Sequence, residues 1–282
     1  MFRRYALPTL AALAALTASP VARAADLSMP APMIMQPEMS GWYLRGDIGF
    51  TNQRVGSLFN ANYANFTAVT NLDKTFDAAP LFGLGIGYNF SSWLRADITG
   101  EYRGSANFKG LDVGTLPGPC ASGPGPCFAD DRYTASKSEW LFLANGYVDL
   151  GTWSGFTPFL GAGVGMSRNT IKGFGDFTTC LDSSACATTG GSDAFAGSAS
   201  KWNFAWALHA GLAYKITSNA TLEFAYRYVN LGKAQSGDVI AFDGTNTIVN
   251  PMEFRNITSS DFKFGLRWNC CDIPPAPLRV RG

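Results

Sequence analysis

Histidine is almost absent from this chain, and charge is scarce: one His, and only 15% Asp, Glu, Lys and Arg among 282 residues. A soluble domain usually carries nearer a quarter charged residues. Part of this surface is therefore solvated by something other than water. A single histidine, His209, also leaves little for a His-rich metal site. An excess of one charge sign is missing as well, since the formal net charge is +1. The basic excess that attracts nucleic acid is absent.

Long apolar runs are missing after the first two dozen residues. Residues 6–16 are apolar apart from Pro8 and Thr9. That run is too short to span a bilayer, which needs about 20 residues. Arg3 and Arg4 precede it and Ala22-Arg23-Ala24 follows it, so residues 1–24 read as a signal peptide cleaved after Ala24. Loss of its three arginines leaves the mature chain slightly acidic. A mature protein with no apolar helix enters a membrane only as a closed barrel.

What is present is alternation. In 202–216, Trp202, Phe204, Trp206, Leu208, Ala210, Leu212, Tyr214 and Ile216 share one face, and Asn203, His209, Gly211 and Lys215 lie on the other. A period of two marks a strand with unlike faces. Seven further windows behave alike: 42–51, 81–90, 94–103, 139–149, 157–167, 221–228 and 261–268. Between them, short turns (91–92, 151–155, 217–219) alternate with long polar stretches (52–79, 104–137, 168–201, 230–260). Strands of about ten residues at ~3.3 Å rise, tilted near 40°, cover roughly the 25 Å apolar band of an outer-membrane barrel.

The apolar face carries no charged residue in any of the eight windows. Its rings are too bulky to fill the interior of an eight-stranded barrel together, whereas the other face is rich in glycine. The apolar face therefore meets lipid. Trp42, Trp93, Trp153, Tyr214 and Trp268 fall near the short-turn end, and Trp140 and Trp202 near the long-loop end. Two such bands are the aromatic girdles of a membrane barrel.

The segments GWYLRGDIGF (41–50), WLRADITGEYRG (93–104), FTPFLGAGVG (156–165), FAYRYVNLG (224–232) and DFKFGLRW (261–268) together resemble the opacity-type, surface-antigen family of eight-stranded Gram-negative outer-membrane proteins. The resemblance implies outer-membrane location, roles in surface exposure, envelope integrity or adhesion, and insertion by the barrel assembly machinery. One departure is the tail: Trp268 is followed by residues 269–282, with Cys270-Cys271 and a Pro-rich stretch. Barrels of this kind usually end on the aromatic residue.

The expected architecture is all-β: an eight-stranded antiparallel transmembrane barrel over 41–268, with four long external loops and three short periplasmic turns. An extended lead-in (25–40) precedes it and a periplasmic tail (269–282) follows it. The register places Arg45, Arg95, Arg103, Lys215, Arg227, Lys263 and Arg267 inside, with Asp47, Asp97, Glu101, Glu139, Asp149, Glu223 and Asp261. Confined ions must be paired or wet, and balanced numbers in a narrow tube predict an ion-paired plug. Cys120 with Cys127, and Cys180 with Cys186, bracket short loop segments; each spacing permits a disulfide in an oxidising compartment. No catalytic, metal or cofactor residue is assigned. The function expected is structural and surface-interacting, with outer-membrane lipids and an unidentified extracellular ligand of the loops as partners. A small solute channel is the alternative, and a lipid-modifying enzyme ranks third, because His209 faces the lumen rather than lipid.

Overall fold

The computed structural model describes residues 41–120, 123–180 and 191–272. Twelve strands follow one another: β1 (Gly41–Arg54), β2 (Ser57–Phe59), β3 (Ala68–Phe76), β4 (Ala79–Asn89), β5 (Leu94–Cys120), β6 (Gly123–Asp149), β7 (Phe156–Cys180), β8 (Gly191–Ala196), β9 (Ala199–Lys215), β10 (Ala220–Gln235), β11 (Val239–Ala241) and β12 (Glu253–Asp272). Eight of them close a ring, in the order β1-β4-β5-β6-β7-β9-β10-β12 and back to β1. Every pairing is antiparallel. Closure leaves no open edge within the apolar band, which a membrane requires.

Three short connections lie at one end. In the first, Ser91 Oγ accepts from the Leu94 N–H at 3.1 Å. In the third, Thr217 Oγ1 accepts from the Ala220 N–H at 2.9 Å. The second turns through Ser154 and Gly155, at φ 51° and 84°, the left-handed region that a turn of this kind needs.

Outward side chains form an apolar belt around the ring. Leu84 is 74% exposed and Leu208 53%, while Ala207, the inward neighbour of Leu208, is 1% exposed. Trp42, Trp93, Trp140, Trp153, Trp202, Tyr214 and Trp268 are all exposed on the outer surface.

The long polar stretches are not loops over most of their length. β5 and β6 continue as a paired hairpin far above Tyr102 and Trp140, and β7 runs on to Cys180. β12 begins at Glu253, and at its other end runs past Trp268 to Asp272. The physical reason is an inversion of the alternation. Above the rim, Asn107, Lys109 and Lys172 face out, while Phe76, Phe108, Ile171, Phe174, Leu231 and Phe254 are buried inside. Here the wall meets water on its outer face, so polar-out is the stable pattern. A search for charge-free outward faces stops at the rim.

Candidate functional site

Inward positions on strands two apart share one tube, so the ring brings distant charges together. Two glycines make the room. A Cβ at Gly83 would stand 2.8 Å from Glu101 Cγ, and one at Gly265 would stand 2.6 Å from Asp47 Oδ1.

Near the short turns, Glu223 receives Arg95 at 3.2 Å, Arg45 at 3.2 Å and Arg267 at 3.5 Å. Arg95 also reaches Asp149 at 3.3 Å. Its guanidinium lies 4.2 Å from the Tyr147 ring centre and 4.8 Å from that of Phe159. In the middle, Arg45 pairs with Asp47 and Asp97, both at 2.8 Å. Nearest the long strands, Arg227 bridges Glu101 at 2.6 Å and Asp261 at 2.7 Å. Lys263 joins Glu101 at 2.6 Å and Asp47 at 3.3 Å. Arg103 pairs with Asp261 at 2.8 Å and also with Glu139. Arg45 with Asp47, Arg227 with Glu101 and Arg103 with Asp261 form forked, charge-assisted hydrogen bonds, whereas Glu223 meets its arginines as ion pairs without hydrogen-bond geometry.

The structure thus brings thirteen expected residues into contact: Arg45, Asp47, Arg95, Asp97, Glu101, Arg103, Glu139, Asp149, Glu223, Arg227, Asp261, Lys263 and Arg267. Lys215 is a correction. It is exposed at the rim of the short-turn end, because β9 ends there. Lys137 was missed. It is fully buried, pairs with Glu139, and donates to Gln53 Oε1 at 2.8 Å. The signal was available: Lys137 is two residues before Glu139, on the same face. Three rings are also buried inside the tube, Tyr43, Tyr147 and Phe159. They lie against glycines and under guanidinium groups.

His209 is buried, with Nε2 3.2 Å from Asn145 Oδ1. An amide oxygen only accepts, so Nε2 carries the proton. The ring packs edge-on against Tyr147. Its partner is neither a hydroxyl nor a carboxylate, so His209 forms no nucleophile–base pair among the described residues.

Above the buried aromatic layer lies an acidic chamber on the wet side of the rim. Asp112 accepts from Tyr63 Oη and Asn71 Nδ2, each at 2.5 Å. Burial raises the carboxyls of Asp112 and Asp131 above the ordinary range. Burial, with the charges of Asp131 and Asp112, pushes Asp176 up to about 7. Asp176 borders a pocket of about 270 Å³ with Asn62, Thr178, Ser192 and Asn250. Among the described residues, no group of His, Cys, Asp or Glu is arranged to hold a metal.

Cys127 is disulfide-bonded. The side chains of Cys120 and Cys180, and all of Cys186, lie outside the described residues, as does the Cys271 side chain. Cys270 is a free, exposed thiol. The signal peptide, the lead-in and most of the tail also lie outside them.

A closed ring, lipid-compatible outside and charged inside, has a counterpart in sequence. Residues 9–269 match the family model described as outer membrane protein beta-barrel domain. The chain belongs to that family. It is an outer-membrane β-barrel protein. Its relatives include an uncharacterised protein of Brucella suis, 33% identical over 239 residues, 79% of this chain and 81% of the relative. The outer membrane protein PagN of Salmonella typhimurium is 30% identical over 165 residues, 54% of this chain and 57% of PagN. A candidate adhesin of Rickettsia canadensis is 27% identical over 234 residues, 78% of this chain and 85% of the relative.

Proposed function

We propose that this outer-membrane barrel is a structural and surface-interaction protein that catalyses no reaction. Its lumen is closed by ion pairs, and its extracellular strands and loops present the binding surface. The observation that carries the reading is the division at the rim. Below it, Glu101, Arg103, Arg227 and Asp261 are fully buried and tie β5, β10 and β12 together through the middle of the tube. Above it, β5, β6 and β7 extend the wall well into water with no lipid to face. Strands beyond the membrane cost conformational entropy that membrane anchoring alone does not require, and loops on rigid scaffolds commonly carry recognition. The resemblance to the Rickettsia candidate adhesin supports an adhesive role.

Planar-bilayer recording of the refolded mature protein tests the closed lumen, and conductance is expected near baseline. Large, steady, ion-selective channels would favour the solute channel instead. The surface role is tested with cells displaying the protein over immobilised matrix components. Shortening the hairpin within 106–137 should abolish binding while the barrel still folds. Binding that survives removal of each extracellular segment in turn would refute the surface role.

A further inference from the structure

One cation stands apart from the lumen network. Arg168 on β7 points outward, exposed, and makes no hydrogen bond or ion pair among the described residues. The register sets it between two tryptophans, with Trp140 on β6 to one side and Trp202 on β9 to the other. Phe142 closes the floor. Its ring stacks on Trp140 at 6.2 Å and on Trp202 at 6.3 Å between centroids. These four residues line a groove of about 280 Å³ on the outer wall.

The row lies at the boundary of the apolar belt. One step towards the short turns, the outward residues are Phe142, Met166 and Phe204; one step the other way they are Ser138, Thr170 and Ser200. Tryptophan at such a boundary sits at headgroup depth. The short turns are periplasmic in this class of barrel, so this boundary faces the outer leaflet.

We propose that Trp140, Phe142, Arg168 and Trp202 form a binding site for a phosphate-bearing lipid of the outer leaflet, the phosphate on Arg168 and the start of an acyl chain in the aromatic groove. Three features select that ligand. A guanidinium with free donors matches phosphate oxygens in a forked geometry. No carboxylate lines the groove to compete for it. The floor and both walls are aromatic, so a soluble anion alone would leave them unfilled. Lys172, two outward positions further from the membrane, adds positive potential on the same strand.

The mature chain, refolded in phosphatidylcholine vesicles, is the test system. A minority of brominated-chain phosphatidic acid is compared with the same fraction of brominated phosphatidylcholine. Bromine quenches nearby tryptophan, and the signal from this groove is isolated by difference from a Trp140→Phe, Trp202→Phe variant. A single cation near a membrane surface contributes about 1 kcal/mol, which at 1.4 kcal/mol per tenfold is about a fivefold enrichment of phosphatidic acid. Arg168→Gln should bring the two lipids to parity, and Arg168→Lys should keep part of the preference. Arg54→Gln removes an outward cation elsewhere on the rim and should change nothing. Heat-modifiable gel mobility checks that each variant folds. The proposal is overturned if the parent shows no preference, if Arg168→Gln keeps it, or if Arg54→Gln loses as much. Displacement by dissolved glycerol phosphate would overturn the lipid and leave a soluble-phosphate site.

Discussion

Replacing Glu101 by glutamine keeps the shape of the side chain and removes its charge. In the native barrel its two oxygens receive Arg227 at 2.8 and 2.6 Å and Lys263 at 2.6 Å. Neither cation would be left wholly alone, because Arg227 keeps Asp261 at 2.7 Å and Lys263 keeps Asp47 at 3.3 Å. Breaking a buried pair by removing one partner costs about 3–5 kcal/mol. The remaining partners put Glu101→Gln at the low end, ~3 kcal/mol. With a urea slope of ~2 kcal/mol per molar, the unfolding midpoint should fall by about 1.5 M. Tryptophan fluorescence of the refolded barrel in lipid vesicles reports that midpoint. The cause is isolated by adding Lys263→Met to the Glu101→Gln background. If the penalty comes from an unpaired cation, the second change should cost far less there than in the parent, with a coupling of about 1–3 kcal/mol. Bilayer conductance of Glu101→Gln should stay near baseline, since the other pairs still cross the tube. A midpoint within about 0.3 M of the parent, with no coupling, would refute the reasoning, because a slope of ~2 kcal/mol per molar makes that under 1 kcal/mol.

Leu208→Arg and Leu84→Arg put a cation into the exposed apolar belt and should each cost about 2–4 kcal/mol at mid-membrane, whereas Ala207→Ser on the inner face should cost little; comparison of urea midpoints decides. Asp176 binds protons more tightly folded than unfolded, so between its ordinary carboxyl range and about 7 the folded chamber loses stability as pH rises, and above that the loss levels off. The opening free energies of amides in β7 and β8, taken from hydrogen exchange after correction for the base-catalysed intrinsic rate, should therefore be larger at acidic than at mildly alkaline pH, and Asp176→Asn should flatten that dependence; smaller values in acid would contradict it. Mass mapping of the exported protein without reductant should find Cys120 joined to Cys127 and Cys180 to Cys186, and free or cross-paired thiols at these positions would rule that out.

Period-two alternation was enough to place the eight membrane crossings, their faces and the order of short and long connections. Lipid and a narrow lumen impose opposite demands on alternate residues, and each window carries both demands in its own sequence. Leu208 beside Ala207, or Arg103 beside Tyr102, needs no partner to be assigned a face. Thirteen of the lumen ions followed from the same rule. Partners did not. That Glu101 meets Arg227 and Lys263, more than a hundred residues away, depends on which strands close the ring and in what register. Asn145 and the ring of Tyr147 join the network only through that geometry. The wall above the rim was hidden for a related reason. There the outer face meets water, the alternation inverts, and isolated apolar residues such as Phe108, Phe174 and Phe254 look like loop residues until the fold packs them together. The groove around Arg168 is also a product of register, since the pairing of β6, β7 and β9 sets one cation between two indoles. The sequence by itself determined which residues face lipid and which face the tube, because that choice is local and repeats every second residue. Only the tertiary structure decided which charges pair and where the wall leaves the membrane, because both depend on the registers fixed when the sheet closes.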